Sequence, residues 1–186
     1  MKKQWIVWTV LLVGVIAMAS VFYHNLQPTL QISKETTTYE KEWATDFTVI
    51  DVSETKTRLK DHIGRPVIVN FWASWCTGCD QEMVVFEEMY KKYGNEVDFM
   101  MINVTDGDRE TVASARTYIE KKGLSFPVYF DRTGQAIRAY EITGIPVTLM
   151  IDAQGKVDTF HFGTMDRDTL QESIERLISI KEERPS

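Results

Sequence analysis

Cys76 and Cys79 are the only cysteines in the 186-residue chain. They stand in Trp75-Cys76-Thr77-Gly78-Cys79, just after the apolar run Val67-Ile68-Val69-Asn70-Phe71-Trp72. A C-x-x-C that follows a strand and opens a helix puts one thiol at the helix N-terminus. There the unpaired N–H groups and the positive end of the helix dipole favour a thiolate. A thiolate attacks disulfides, so the pair reads as a dithiol for thiol–disulfide exchange. Cys76 is the expected nucleophile, and Cys79, one turn deeper, resolves the mixed disulfide. A disulfide between them closes too small a loop to staple a fold. The competing reading of a C-x-x-C is half a zinc site, which needs a second ligand pair. The three histidines, His24, His62 and His161, are scattered singly and supply none.

Other side chains gather around this pair by spacing. Glu82 lies three residues after Cys79 and shares its helix face, where its carboxyl can move protons; an ordinary solvated glutamate is the alternative. Asp80 adds a second carboxylate close to the thiols, and two such charges disfavour a thiolate. Gly78 keeps an N–H that proline would lack, able to donate to the sulfur. The net expectation is a reducing dithiol of high pKa. Trp75 is expected to shield one side of Cys76.

The elements that must hold these residues follow from periodicity. Asp46 to Val52 alternates as a strand, and Thr57 to His62 reads as a short helix ending at Gly64. Val67 to Trp72 is continuously apolar, as in a strand covered on both faces. The helix from Cys76 to Tyr93 carries the stripe Cys79, Met83, Phe86, Tyr90, Tyr93. That pattern leaves Cys76 at its exposed end. Val97 to Val104 is a strand, Arg109 to Lys122 a helix closed by Gly123, Phe126 to Phe130 a short strand and Gln135 to Tyr140 a short helix. Val147–Ile151 and Val157–Phe162 form a hairpin across Asp152-Ala153-Gln154-Gly155. Asp166 to Ile180 closes the fold, with Leu170, Ile174, Leu177 and Ile178 inward. Strands alternating with helices, then a hairpin, give an α/β fold with a central mixed sheet flanked by helices. Asn103-Val104-Thr105 is a formal glycosylation sequon at a strand end, and Asp106-Gly107-Asp108 reads as a turn and helix cap.

The N-terminus reads as an address. Residues 1–4 carry Lys2 and Lys3, and Trp5 to Phe22 contain no charge. As a helix those 18 residues span on the order of 27 Å, close to a hydrocarbon core. The expected layout is a cytoplasmic 1–4, a transmembrane anchor 5–23, a polar tether 24–42, a folded domain 43–182 and a tail 183–186. The preceding lysines orient the domain outward. A cleaved signal peptide, with Ala17-Met18-Ala19 as its site, is the alternative. The net charge is −6, and beyond Lys2 and Lys3 the chain carries 19 basic and 27 acidic side chains. Such a surface argues against nucleic acid as a partner.

FWASWCTGC after a strand, Gly144-Ile145-Pro146-Val147-Thr148 before a strand and the Asp-x-x-Gly-Lys hairpin together resemble the thioredoxin-like fold. ATDFTVIDV, Asn70, Glu82-Met83 and the segment between Asp106 and Asp131 narrow the resemblance to the TlpA/ResA branch of membrane-anchored, extracytoplasmic thiol–disulfide oxidoreductases. The likeness covers about Ala44 to Leu177. The chain departs from the branch at Gly78, Asp80 and Val84, where relatives usually carry proline, a basic residue and proline. The resemblance implies an N-terminal strand extension and a central helix–strand insertion. It implies that Pro146 is a cis-proline facing the dithiol, that Ile145 offers its backbone to an extended substrate, and that Glu82 tunes the cysteines.

It also implies protein-disulfide reduction without a cofactor. The implied substrates are extracytoplasmic proteins such as apocytochrome c with its haem-site cysteines, or another cysteine pair awaiting a metal. A membrane thiol–disulfide transporter would be the electron donor. Two rival functions remain open at this point. One is a disulfide oxidase or isomerase; the other is a copper(I) chaperone on the same fold, using Cys76, Cys79 and His161.

Overall fold

Strand β3 (Val67–Trp72) is the axis of the fold, and every one of its residues is buried. Val67, Val69 and Phe71 face one apolar cluster, and Ile68 and Trp72 face another. A strand covered on both sides has no solvent face, which is why its sequence does not alternate. The computed structural model describes residues 42–182 together with Gly14 and Met18. Apart from Gly14 and Met18, the expected anchor lies outside the described residues, as do most of the tether and the tail. Among the described residues no helix is long and apolar enough to cross a membrane.

The remaining strands are β1 (Thr48–Asp51), β2 (Lys56–Arg58), β4 (Asp98–Asn103), β5 (Val128–Phe130), β6 (Val147–Ile151) and β7 (Val157–Phe162). Together with β3 they form one seven-stranded sheet in the order β2-β1-β5-β4-β3-β6-β7. β3, β4 and β5 run parallel; β6 and β7, and β1 and β2 at the other end, join antiparallel. The sheet is mixed, and β1–β2 is the N-terminal extension the resemblance implied. The helices are α1 (Thr77–Tyr93), α2 (Val112–Lys122), α3 (Gln135–Ala139) and α4 (Arg167–Glu182). α2 and β5 form the central insertion. Residues 42–182 fall within a single compact unit.

α1 packs on the Ile68–Trp72 face through Cys79, Met83, Phe86 and Tyr93, and α4 joins it through Leu170, Ile174 and Leu177. α3 covers the opposite face through Ala136. Two local expectations change. The stretch expected as a helix from Thr57 begins instead as strand β2, and only Leu59–His62 turns, as a 3-10 helix. β2 is an edge strand of polar residues, so it carries no apolar alternation. α2 starts at Val112 rather than Arg109, because Thr111 caps it by accepting from the Ser114 N–H.

Candidate active site

Ala73 to Cys76 leave the end of β3 and turn into α1. Cys76 is the N-cap of α1, with extended backbone (φ −82°, ψ 109°), and its Sγ accepts the Cys79 N–H at 3.1 Å. An unpaired donor of the first helical turn is thus aimed at the sulfur, the arrangement that stabilises a thiolate. The donor is the Cys79 amide rather than that of Gly78. Cys76 and Cys79 are joined as a disulfide, with Cα atoms 5.2 Å apart. Cys76 keeps 7% of its surface and Cys79 1%. Cys76 is therefore more covered than its place at the exposed end of the helix stripe implies.

The cover comes from the loop before β6. The Ile145–Pro146 peptide is cis, and the Ile145 carbonyl oxygen lies 3.8 Å from Cys76 Sγ. The Gly163 N–H donates to the Pro146 carbonyl (2.9 Å), fastening this loop to the end of β7. Gly78 has a steric role here. A Cβ at that position would sit 3.2 Å from Thr164 Oγ1 and 3.3 Å from Pro146 Cδ. The bare backbone lets α1 approach the proline loop, and the Thr164 hydroxyl donates to the Gly78 carbonyl (3.2 Å).

Glu82 is fully buried. Its Oε1 accepts from Asn70 Nδ2 (2.8 Å) and its Oε2 from the Met165 N–H (2.8 Å). Asn70 also donates to Thr148 Oγ1 on β6 (3.0 Å). Burial pushes the Glu82 carboxyl up from its ordinary value to about 7, against the pull of the Met165 and Asn70 hydrogen bonds. It is not the solvated glutamate that its helix position allows. Asp80 corrects a second expectation. Its carboxylate meets Lys122 Nζ (2.6 Å) and the Tyr118 hydroxyl (2.6 Å), and these partners hold its pKa below the usual range. Its charge is spent on α2, so the thiols do not face two free carboxylates.

Two residues with no signal in periodicity brace the other side. Glu110, fully buried, accepts from the Ser74 N–H (3.0 Å), the Ser74 hydroxyl (2.6 Å) and Asn103 Nδ2 (2.6 Å). It ties the turn before Cys76 to the end of β4. The same bond leaves the Asn103 sequon buried. Arg109 lays its guanidinium 3.5 Å from the centroid of the Trp75 ring, which is 40% exposed. The only clue in the sequence was an acidic turn: Asp106 Oδ1 accepts from the Asp108 and Glu110 N–H groups and shapes that loop. His161 Nε2 contacts the Thr164 carbonyl (3.4 Å). Among the described residues no group of three or more His, Cys, Asp or Glu side chains is gathered to hold a metal, so His161 does not complete a site with the cysteines.

Comparison with known proteins agrees with this geometry. The AhpC/TSA family model matches residues 41–160. The thiol-disulfide oxidoreductase ResA of Geobacillus kaustophilus is 31% identical over 90% of this chain and 92% of its own length. The thioredoxin-like protein YneN of Bacillus subtilis is 30% identical over 94% of this chain.... Among solved structures, a thiol:disulfide interchange protein of Chlorobium tepidum superposes with a TM-score of 0.65 at 26% identity, covering 74% of this chain and 97% of its own. StoA of Bacillus subtilis, at 22% identity and a TM-score of 0.61, shares the fold.

Proposed function

We propose, from the premise that the chain belongs to the AhpC/TSA family and within it to the ResA-like thiol–disulfide oxidoreductases, that Cys76 and Cys79 reduce disulfides of proteins outside the cytoplasm. The ResA relatives are named for thiol–disulfide exchange. The observation that carries the assignment of roles is the Cys76–Cys79 bond at the start of α1, beside Ile145–Pro146 and on the helix that bears buried Glu82.

The reduced protein starts with a Cys76 thiolate. It attacks one sulfur of the client disulfide; a mixed disulfide forms, the client bond breaks, and the released sulfur takes up a proton. Cys79 passes its proton to the Glu82 carboxylate and attacks the Cys76 sulfur. The Cys76–Cys79 bond forms, the mixed disulfide breaks, and the client leaves with both sulfurs reduced. Two electrons have moved from this dithiol to the client. A carboxyl with a pKa of about 7 is poised to accept that proton near neutral pH. Ile145 presents its carbonyl, and Trp75 an exposed ring, to the client segment beside Cys76, in the manner of an added strand. A buried carboxylate disfavours a thiolate nearby, which suits a reductant over an oxidase or isomerase.

The uncharged stretch in residues 5–23 supports a membrane anchor with the folded domain outside. Resemblance to the TlpA/ResA branch supports apocytochrome c haem-site cysteines as the client class and a membrane thiol–disulfide transporter as the source of electrons. The test is trapping. Cys79→Ser should accumulate a mixed disulfide through Cys76, whose client can be identified, whereas Cys76→Ser should lose disulfide cleavage. Unimpaired cleavage by Cys76→Ser overturns the assignment. A reduction potential near about −270 mV supports a reductant, and one near about −120 mV an oxidant. A mature N-terminus at Ser20 removes the anchor.

A further inference from the structure

We propose that Arg109, stacked on Trp75 beside the Cys76–Cys79 pair, is a recognition residue that receives an acidic side chain of the client next to the attacked cysteine. The inference rests on the reductase reading above and names the kind of client that site selects.

Three observations converge. The first is the stack. The guanidinium lies 3.5 Å from the Trp75 ring centroid, in cation–π contact with the residue that precedes the nucleophile. A guanidinium resting on a ring keeps N–H donors that point away from it for a carboxylate, which they can grip with two parallel bonds. The second is the absence of an internal partner. Arg58, Arg65, Arg132, Arg167 and Arg176 are ion-paired with Asp46, Asp98, Glu54, Glu88 and Asp158. Among the described residues the Arg109 guanidinium meets no carboxylate within ion-pair distance, and its contact is the Trp75 ring. Arg116 and Arg138 also lack an ion pair among the described residues, but Arg109 is the arginine that lies against Trp75, next to Cys76.

The third is that Arg109 is fixed in place. Its neighbour Glu110 is bolted to Ser74 and Asn103, and Asp106 closes the loop on itself. Arg109 and Trp75 therefore ride on two loops joined through buried bonds. A side chain ordered before the client arrives loses less entropy on binding.

Asp106 closes its own loop and the adjacent Asp108 forms no ion pair with Arg109; the other nearby acids are engaged elsewhere. Glu110 is engaged by Ser74 and Asn103, Asp80 by Lys122 and Tyr118, and Glu82 is buried behind Asn70 and the Met165 amide. The net negative surface repels acidic segments generally. A single unpaired cation beside the nucleophile makes an acidic residue favourable at one position of the client, and that is the basis of selectivity.

The test uses the full-length protein in detergent, reduced with dithiothreitol and freed of it. The probes are symmetrical disulfide-linked peptides in which both cysteines are flanked by the same residue, Glu, Gln or Lys. Single-turnover rate constants give a Glu-over-Lys ratio. The natural protein should favour Glu about three- to fivefold at low salt, as expected for one exposed charge pair, and lose the preference at high salt. The ratio should fall to one or below in Arg109→Gln, fall further in Arg109→Glu and survive in part in Arg109→Lys. An unchanged ratio in Arg109→Gln overturns the proposal. So does an equal slowing on all three peptides, which marks a residue that only props Trp75. If the natural protein cleaves none of the peptides, the reductase reading itself falls, and this inference with it.

Discussion

Asn70 Nδ2 donates to Glu82 Oε1 at 2.8 Å, so β3 hands a hydrogen bond to the carboxyl that α1 buries one turn below Cys79. The bond joins the strand that delivers the cysteine loop to the helix that carries the resolving cysteine. Its acceptor is the ionisable group whose pKa is most displaced toward neutrality among the site residues.

Glu82 makes stability depend on pH in a definite direction. Its folded pKa of about 7 lies above its ordinary 4.5. The folded chain therefore holds a proton that the unfolded chain releases. The associated stability is complete below pH 4.5 and is lost as pH rises through about 7, a change on the order of 3 kcal/mol. Urea unfolding of the oxidised protein at pH 5 and pH 8 measures it. Glu82→Gln should flatten that difference, at a cost of about 1 kcal/mol for the bond its amide cannot make to the Met165 N–H.

The same substitution separates two steps of catalysis. Glu82→Gln removes the proton acceptor for Cys79 but leaves Cys76 able to attack. Mixed-disulfide formation should remain fast, while its resolution should slow by about 10²-fold or more and lose its inflection near pH 7. Quenched-flow trapping of the mixed disulfide reads both steps. Equal rates of resolution in the two proteins would remove Glu82 from the mechanism.

Asn70→Asp places a second carboxyl against Glu82 and deletes the amide donor to it. The two acids should share one proton, with one of them titrating above 7. The fold should weaken by about 3 kcal/mol at pH 8 and by clearly less at pH 5, where both are neutral. Urea midpoints at the two pH values check the contrast.

Asp80 should matter little to the thiols. Its carboxylate is held by Lys122 and Tyr118. Asp80→Asn should leave the iodoacetamide alkylation midpoint of Cys76 within about 0.3 unit of the natural protein and cost less than about 1 kcal/mol. A midpoint lower by a full unit would show that its charge does reach the sulfur.

Glu110→Ala orphans the Ser74 N–H, the Ser74 hydroxyl and the Asn103 amide at once. Unfolding should become easier by about 3 kcal/mol. Client reduction should slow as well, because the turn that delivers Trp75 and Cys76 loses its brace. Denaturant titration and peptide-reduction rates on Glu110→Ala and Glu110→Gln test the two effects.

Local pattern carried much of this structure. The continuous apolar run of β3, the helical stripe from Cys79 to Tyr93 and the hairpin turn at Asp152–Gly155 all stand where periodicity put them. β2 was illegible because Lys56-Thr57-Arg58 has no apolar face and pairs only with β1, beyond a turn in which Glu54 takes a φ of +62°.

The amino-acid sequence by itself determined that a dithiol opens a helix at the end of a doubly covered strand. That rests on residue spacing along a single element, and spacing sets which side chains share a face. The tertiary structure alone decided the states of the charges around the dithiol: Glu82 sealed between β3 and the Met165 amide, Asp80 drawn to Lys122, and Arg109 laid on Trp75. A side chain's pKa and partners depend on what the sheet register and the connecting loops bring within a few ångströms from distant parts of the chain. Those distances come into being only when the elements pack.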